Sequence, residues 1–136
     1  MKYWLVKSEP FKYSFDDLLR DKQTHWNGVR NFQARNNLKA MRRGDQALFY
    51  HSNEGKEVVG VAEIVREAYP DSTATEGDWV MVDLKASTRF QVPVTLTDIK
   101  AIPELRGMGL LKQARLSVVA LTQAEFEWIT RKGMTS

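Results

Sequence analysis

Trp26-Asn-Gly-Val-Arg-Asn-Phe-Gln-Ala-Arg-Asn-Asn-Leu38, continued by Lys39-Ala-Met-Arg-Arg-Gly-Asp45 and Gln46-Ala-Leu-Phe-Tyr-His-Ser52, passes from a polar turn to a helical and then an extended pattern. At about 100° per residue, Ala34, Leu38 and Met41 fall on one face, the face a globular helix buries. Asn31, Arg35, Lys39 and Arg42 form a second, mostly cationic stripe. Asn31 suits a helix N-cap, and Gly44-Asp45 after Arg42-Arg43 predicts the stop. Arg30 projects to the N-terminal edge of the apolar face. A guanidinium there must find acceptors, either protein carbonyls or a ligand, because an unpaired buried charge is costly. Trp26 lies beside Gly28 on a predicted loop, outside any apolar periodicity. With Arg30 and Asn31 it marks the stretch as a site.

Downstream, Gln46–Ser52 reads as a strand, Asn53-Glu-Gly55 as a turn and Val58–Val65 as the partner strand of a hairpin. Gly60 within it predicts a bulge or the close approach of another backbone. Asp71–Asp78 is a polar loop without periodicity, expected to be mobile. Trp79–Lys85 and Phe90–Leu96 read as two further strands, Pro93 placing the second at an edge or a bulge. Thr97-Asp98 opens a short helical turn, Arg115–Leu121 reads as a last strand, and Thr122-Gln-Ala-Glu125 is a capping box for a terminal helix. Upstream, Lys2–Lys7 reads as a strand, Ser14–Arg20 as a short capped helix and Asp21–His25 as a polar connection. The central strands have no crossover helices between them, which excludes a doubly wound parallel sheet. The expected class is α+β: five to six mostly antiparallel strands with flanking helices.

A chain of 136 residues, 43% hydrophobic, can bury a core as one domain spanning 1–136. It contains no apolar run that could span a membrane and no signal-peptide pattern. Cysteine is absent, which removes disulfides and thiolate chemistry. A reducing, cytoplasmic setting is the simplest reading, a cysteine-free secreted protein the other. The net charge of +3 is too small to be a nucleic-acid signature by itself. The charge is clustered, however, at Arg30, Arg35, Lys39, Arg42 and Arg43, and again at Arg106, Lys112 and Arg115.

Five motifs occur in order: Tyr3-Trp-Leu-Val-Lys-Ser-Glu-Pro10; Trp26-Asn-Gly-Val-Arg-Asn31 with Gln33-Ala-Arg-Asn36; Gly44-Asp45; Phe49-Tyr-His-Ser52; and Arg115-Leu-Ser117. Together they closely resemble the EVE domain family over nearly the whole chain. That family belongs to the PUA-like group and is similar to YTH domains, which bind modified bases in RNA. The resemblance implies a PUA-like pseudo-barrel with flanking helices and a pocket for a flipped, modified nucleobase in DNA or RNA; no cofactor and a monomeric chain are expected beside it.

A flipped base needs a π surface, hydrogen-bond partners along its edge and cations for its phosphates. Trp26 is the expected stacking platform, with Tyr50 as a second wall; the competing readings are a partly buried structural tryptophan and plain core. Lys7 and Ser8 align with the lysine-serine pair that YTH domains place at their pocket. Glu9 offers an acceptor for the exocyclic amine of cytosine, which points to a modified cytosine. Val29, Arg30, Asn31, His51 and Ser52 complete the expected base-binding set. Arg35, Asn36, Lys39, Arg115 and Ser117 are the expected phosphate and strand contacts.

Two rival readings stand beside this one. Lys7, Ser8, Glu9 and Tyr50 are the residues from which a small nucleoside hydrolase would be built. With His25 and His51 as the only histidines and no cysteine, no familiar zinc spacing can be assembled, and no G-x-S-x-G or phosphate-loop pattern occurs. The other is a nonselective RNA-binding module resting on the basic helix alone.

Overall fold

A computed structural model describes residues 1–135. In chain order the elements are β1 (Tyr3–Ser8), α1 (Phe15–Asp21), β2 (Gln23–Trp26), α2 (Phe32–Ala40), β3 (Gln46–His51), β4 (Glu57–Pro70), β5 (Val80–Thr95), α3 (Leu96–Lys100), a 3-10 turn (Pro103–Leu105), α4 (Gly109–Lys112), β6 (Val118–Leu121) and α5 (Gln123–Gly133). The strands form one six-stranded sheet in the order β2-β5-β4-β3-β1-β6. Among the described residues β1 and β3 pair in parallel, and the other four pairings are antiparallel. The ladder leaves β2 and β6 as its two edges. Even so, residues of β2 and Ser117, just ahead of β6, line one cavity. The sheet is therefore curled into the expected pseudo-barrel without closing.

Helix α2 is capped by Asn31, whose side chain accepts from the Ala34 amide at 2.9 Å. It buries Ala34 and Leu38, and Met41 just past its end is buried with them, as the angular pattern requires. The helix stops at Ala40, ahead of the predicted glycine stop. The Asp45 carboxylate is the reason: it accepts from the Arg42 amide, the Trp4 indole and the Lys2 amide, which pulls residues 42–45 into a turn. Gly44, at φ +94°, completes that turn and donates to Ile64 of β4. Arg30 precedes the cap, so the helical projection does not describe it.

Two sequence expectations change. The segment read as a polar connection contains β2, an edge strand whose Trp26 pairs with Val82 and whose His25 pairs with Asp83. Its outward face is solvated, so its composition is polar and its strand character hidden. The two strands predicted between Trp79 and Leu96 are one, β5, forming a long hairpin with β4. Along β5, the four residues between Arg89 and Val94 lie opposite one, Val59, between Gly60 and Val58 of β4, and Pro93 sits in that bulge, where a missing N–H is tolerated.

Gly60 of β4 lies against Phe15, the first residue of α1. A Cβ at this position would lie 2.5 Å from the Phe15 ring and 2.7 Å from the Thr88 carbonyl oxygen. Phe15 is fully buried against Phe49, and the Thr88 contact is backbone, so neither can yield cheaply. Gly60→Ala is expected to destabilise the fold by about 1–3 kcal/mol through overpacking. A lowered urea midpoint with an unchanged slope would report it.

Candidate functional site

The end of β1, the 9–13 turn, the β2–α2 connection and Ser117 surround a cavity of about 410 Å³. Lys7, Ser8, Glu9, Trp26, Val29, Arg30 and Ser117 all line it. Ser8 Oγ donates to the Tyr13 carbonyl at 2.6 Å, which leaves its lone pairs available. Glu9 accepts from Asn53 Nδ2 at 2.6 Å and pairs with Lys12 Nζ at 3.2 Å. Lys7 Nζ donates to the Ala114 carbonyl at 2.7 Å, and burial lowers its pKa below the ordinary lysine value.

Trp26 does not sit on the loop expected from the sequence, and the competing reading of a partly buried structural tryptophan holds as well. It ends β2 and is 9% exposed, packed edge-to-face on Phe49 at 5.5 Å and Tyr13 at 6.4 Å. Its role as a wall is combined with a role in the core.

Arg30 finds its acceptors within the protein: the Val29 carbonyl, Asp71 at 3.0 Å and Thr73 Oγ1 at 3.1 Å. Asp71 also accepts from the Gly28 amide at 2.8 Å, and Gly28 has φ +82°, a conformation costly for residues with a Cβ. The 71–78 segment, read as a free polar loop, is thus pinned to the cavity rim. Burial by itself would raise the Asp71 carboxyl. Hydrogen bonds from Thr73, Gly28 and Arg30 outweigh that and lower its pKa to about 2.

The structure separates several expected site residues from this cavity. Tyr50 is buried in β3 and, with Ser52 and Lys7, lines a neighbouring hollow of about 210 Å³. His51 Nε2 accepts from the Phe15 amide at 3.1 Å, serving the start of α1, and burial lowers its pKa so that it stays a neutral acceptor. Asn31 is spent as a cap. Arg35 lies against Phe32 and Trp79, with its guanidinium donating to Asn36, and Lys39 pairs with Asp78. Arg115 is exposed and does not line the cavity, whereas Ser117 does.

Sequence reasoning missed His25, Tyr13 and Asp71. His25 lines the cavity, and its Nδ1 is 2.8 Å from Asp83, which also accepts from the Tyr69 hydroxyl. For Asp71 a local signal existed: Asp-Ser-Thr is an Asx-turn pattern, here closed by Thr73 N to Asp71 Oδ1 at 2.8 Å.

The EVE domain family model matches residues 2–132. The chain belongs to the EVE domain family. This EVE domain is 39% identical to mouse thymocyte nuclear protein 1, over 93% of the chain and 71% of the mouse protein. Among solved structures it is similar to Atu2648 from Agrobacterium tumefaciens, at 46% identity and a TM-score of 0.95, covering 98% and 93% of the two chains. It is also similar to human THYN1 in complex with DNA containing 5-methylcytosine, at 32% identity and a TM-score of 0.92, covering 100% and 99%. The Pho92 YTH domain in complex with m6A shares the fold, with a TM-score of 0.60 at 12% identity. The α+β, PUA-like architecture expected from the resemblance is the one found.

Because the folded-state pKa of Asp71 is depressed, its contribution to stability is present above the ordinary carboxylate range and is lost as pH falls through about 2. The shift is expected to contribute about 2 kcal/mol, lost progressively between about pH 4 and pH 2. Unfolding titrations across that range should show the decline in the native protein and a flatter profile in Asp71→Asn.

Proposed function

We propose that this EVE domain binds a modified cytosine, flipped out of a nucleic-acid strand, in the cavity between β1 and the β2–α2 connection. The observation that carries this reading is the convergence there of Lys7-Ser8-Glu9, Trp26-to-Arg30 and Ser117, three segments far apart in sequence. The indole supplies an aromatic wall. The Glu9 carboxylate, which has more lone pairs than its two partners use, supplies an acceptor for the exocyclic amine. Ser8 supplies a hydroxyl, and Lys12 and Arg30 at the rim supply positive charge for phosphate. The similarity to human THYN1, a protein crystallised with 5-methylcytosine DNA, supports the same ligand class.

The rival readings draw less support. A hydrolase built from Lys7, Ser8, Glu9 and Tyr50 would need them around one substrate, yet Tyr50 lines the other hollow and the Lys7 amine is held by Ala114. A nonselective module resting on the basic helix alone would need that whole stripe free, yet Lys39 is ion-paired with Asp78 and Asn31 is spent as the cap.

Trp26→Ala is a poor test, since emptying that part of the core is expected to cost roughly 3–5 kcal/mol. Glu9→Gln keeps the shape and replaces one carboxylate oxygen by a donor. Fluorescence anisotropy should show tighter binding of a strand carrying one 5-methylcytosine than of its unmodified twin, and Glu9→Gln should reduce the affinity for the modified strand about tenfold, the scale of one lost base-edge contact. Equal affinities of the native protein for the two strands would refute the proposal.

A further inference from the structure

Phe32, the first residue of α2, is 67% exposed although burial of a phenyl ring is favourable. Its ring nevertheless has a fixed partner. It stacks on Trp79, at the end of the 71–79 connection, with centroids 5.3 Å apart and planes 17° from parallel. The Arg35 guanidinium lies 5.1 Å from the Phe32 centroid and 5.8 Å from that of Trp79. Arg30 approaches the Trp79 ring to 5.6 Å and also lines the cavity, so the two features share a residue. The acids nearest this cluster are engaged, Asp71 by Arg30 and Asp78 by Lys39.

A flat aromatic pair edged by two guanidinium groups matches the chemistry of unpaired nucleotides. Every base has a π face that can stack on such a ring, and each phosphate suits a guanidinium fork. A protein partner would call for a broader apolar surface than one exposed phenyl ring. We propose that Phe32, Trp79, Arg30 and Arg35 form a second nucleic-acid site, a stacking platform that receives an unpaired base adjacent to the one held in the cavity. This assignment rests on the base-binding reading of that cavity, and it adds the flanking nucleotide as a partner. Stacking does not distinguish among bases, so the platform contributes affinity, while selectivity stays with the cavity.

The test compares the native protein, Phe32→Ala and Phe32→Tyr for binding to a short single strand with or without one 5-methylcytosine. Phe32→Ala is expected to weaken both strands alike, by about tenfold, as for loss of one base–aromatic stack. Phe32→Tyr, which keeps the ring, should retain native affinity. The free nucleoside 5-methyl-2′-deoxycytidine reaches only the cavity and should raise the melting temperature of Phe32→Ala as much as that of the native protein. Native affinity of Phe32→Ala for both strands, or a loss confined to the modified one, would overturn the platform. If the native protein binds the two strands equally while Phe32→Ala still weakens both, the cavity reading fails and the platform stands.

Discussion

The buried carboxylate of Asp71 is the constraint on which the site depends. It gathers the Gly28 amide, the Arg30 guanidinium, and the amide and hydroxyl of Thr73. A carboxylate removed from water must be matched by donors of this kind, and charge-assisted hydrogen bonds are about twice as strong as neutral ones. The consequence is geometric. The connection between β4 and β5 is tied to the turn between β2 and α2, which fixes one wall of the cavity and delivers Trp79 to the first turn of α2.

Curling of the sheet supplies the opposite wall. Extra residues on β5 opposite β4 are expected to bend the strands, and bulges of this kind increase local twist. With the edges β2 and β6 brought towards each other, Ser117 and Thr24 line the same cavity although their strands lie at opposite ends of the ladder. The parallel pair β1 and β3 has a related effect. It sets Lys7 beside Tyr50 and Ser8 beside His51, so Lys7 lines both hollows, the cavity with Ser8 and the neighbouring one with Tyr50.

Trp26 shows why a binding wall and a core residue need not be alternatives. An indole is large enough to pack on Phe49 and Tyr13 over most of its surface and still present its remainder to a cavity. Held in this way, the ring loses little freedom when it meets a planar ligand, which is the advantage of a preformed site.

The local devices were legible in the residues themselves: the Asn31 cap, the buried face of Ala34, Leu38 and Met41, the capping boxes at Ser14 and Thr122, and the crowding at Gly60. That Lys7, Ser8 and Glu9 share a cavity with Val29 and Arg30 was expected from the family resemblance of two short motifs, not from the residues alone. Long-range pairing was not legible. Nothing local to Asp71 points to Gly28, 43 residues away, and a solvated edge strand such as β2 carries no apolar alternation to reveal it. Short-range signals arise from backbone sterics and side chains within a turn of one another, and a sequence records those directly. Which hollow Tyr50 lines, where Arg30 finds its acceptors and what rests on Phe32 depend on strands and loops meeting through space, and only the tertiary structure decides them.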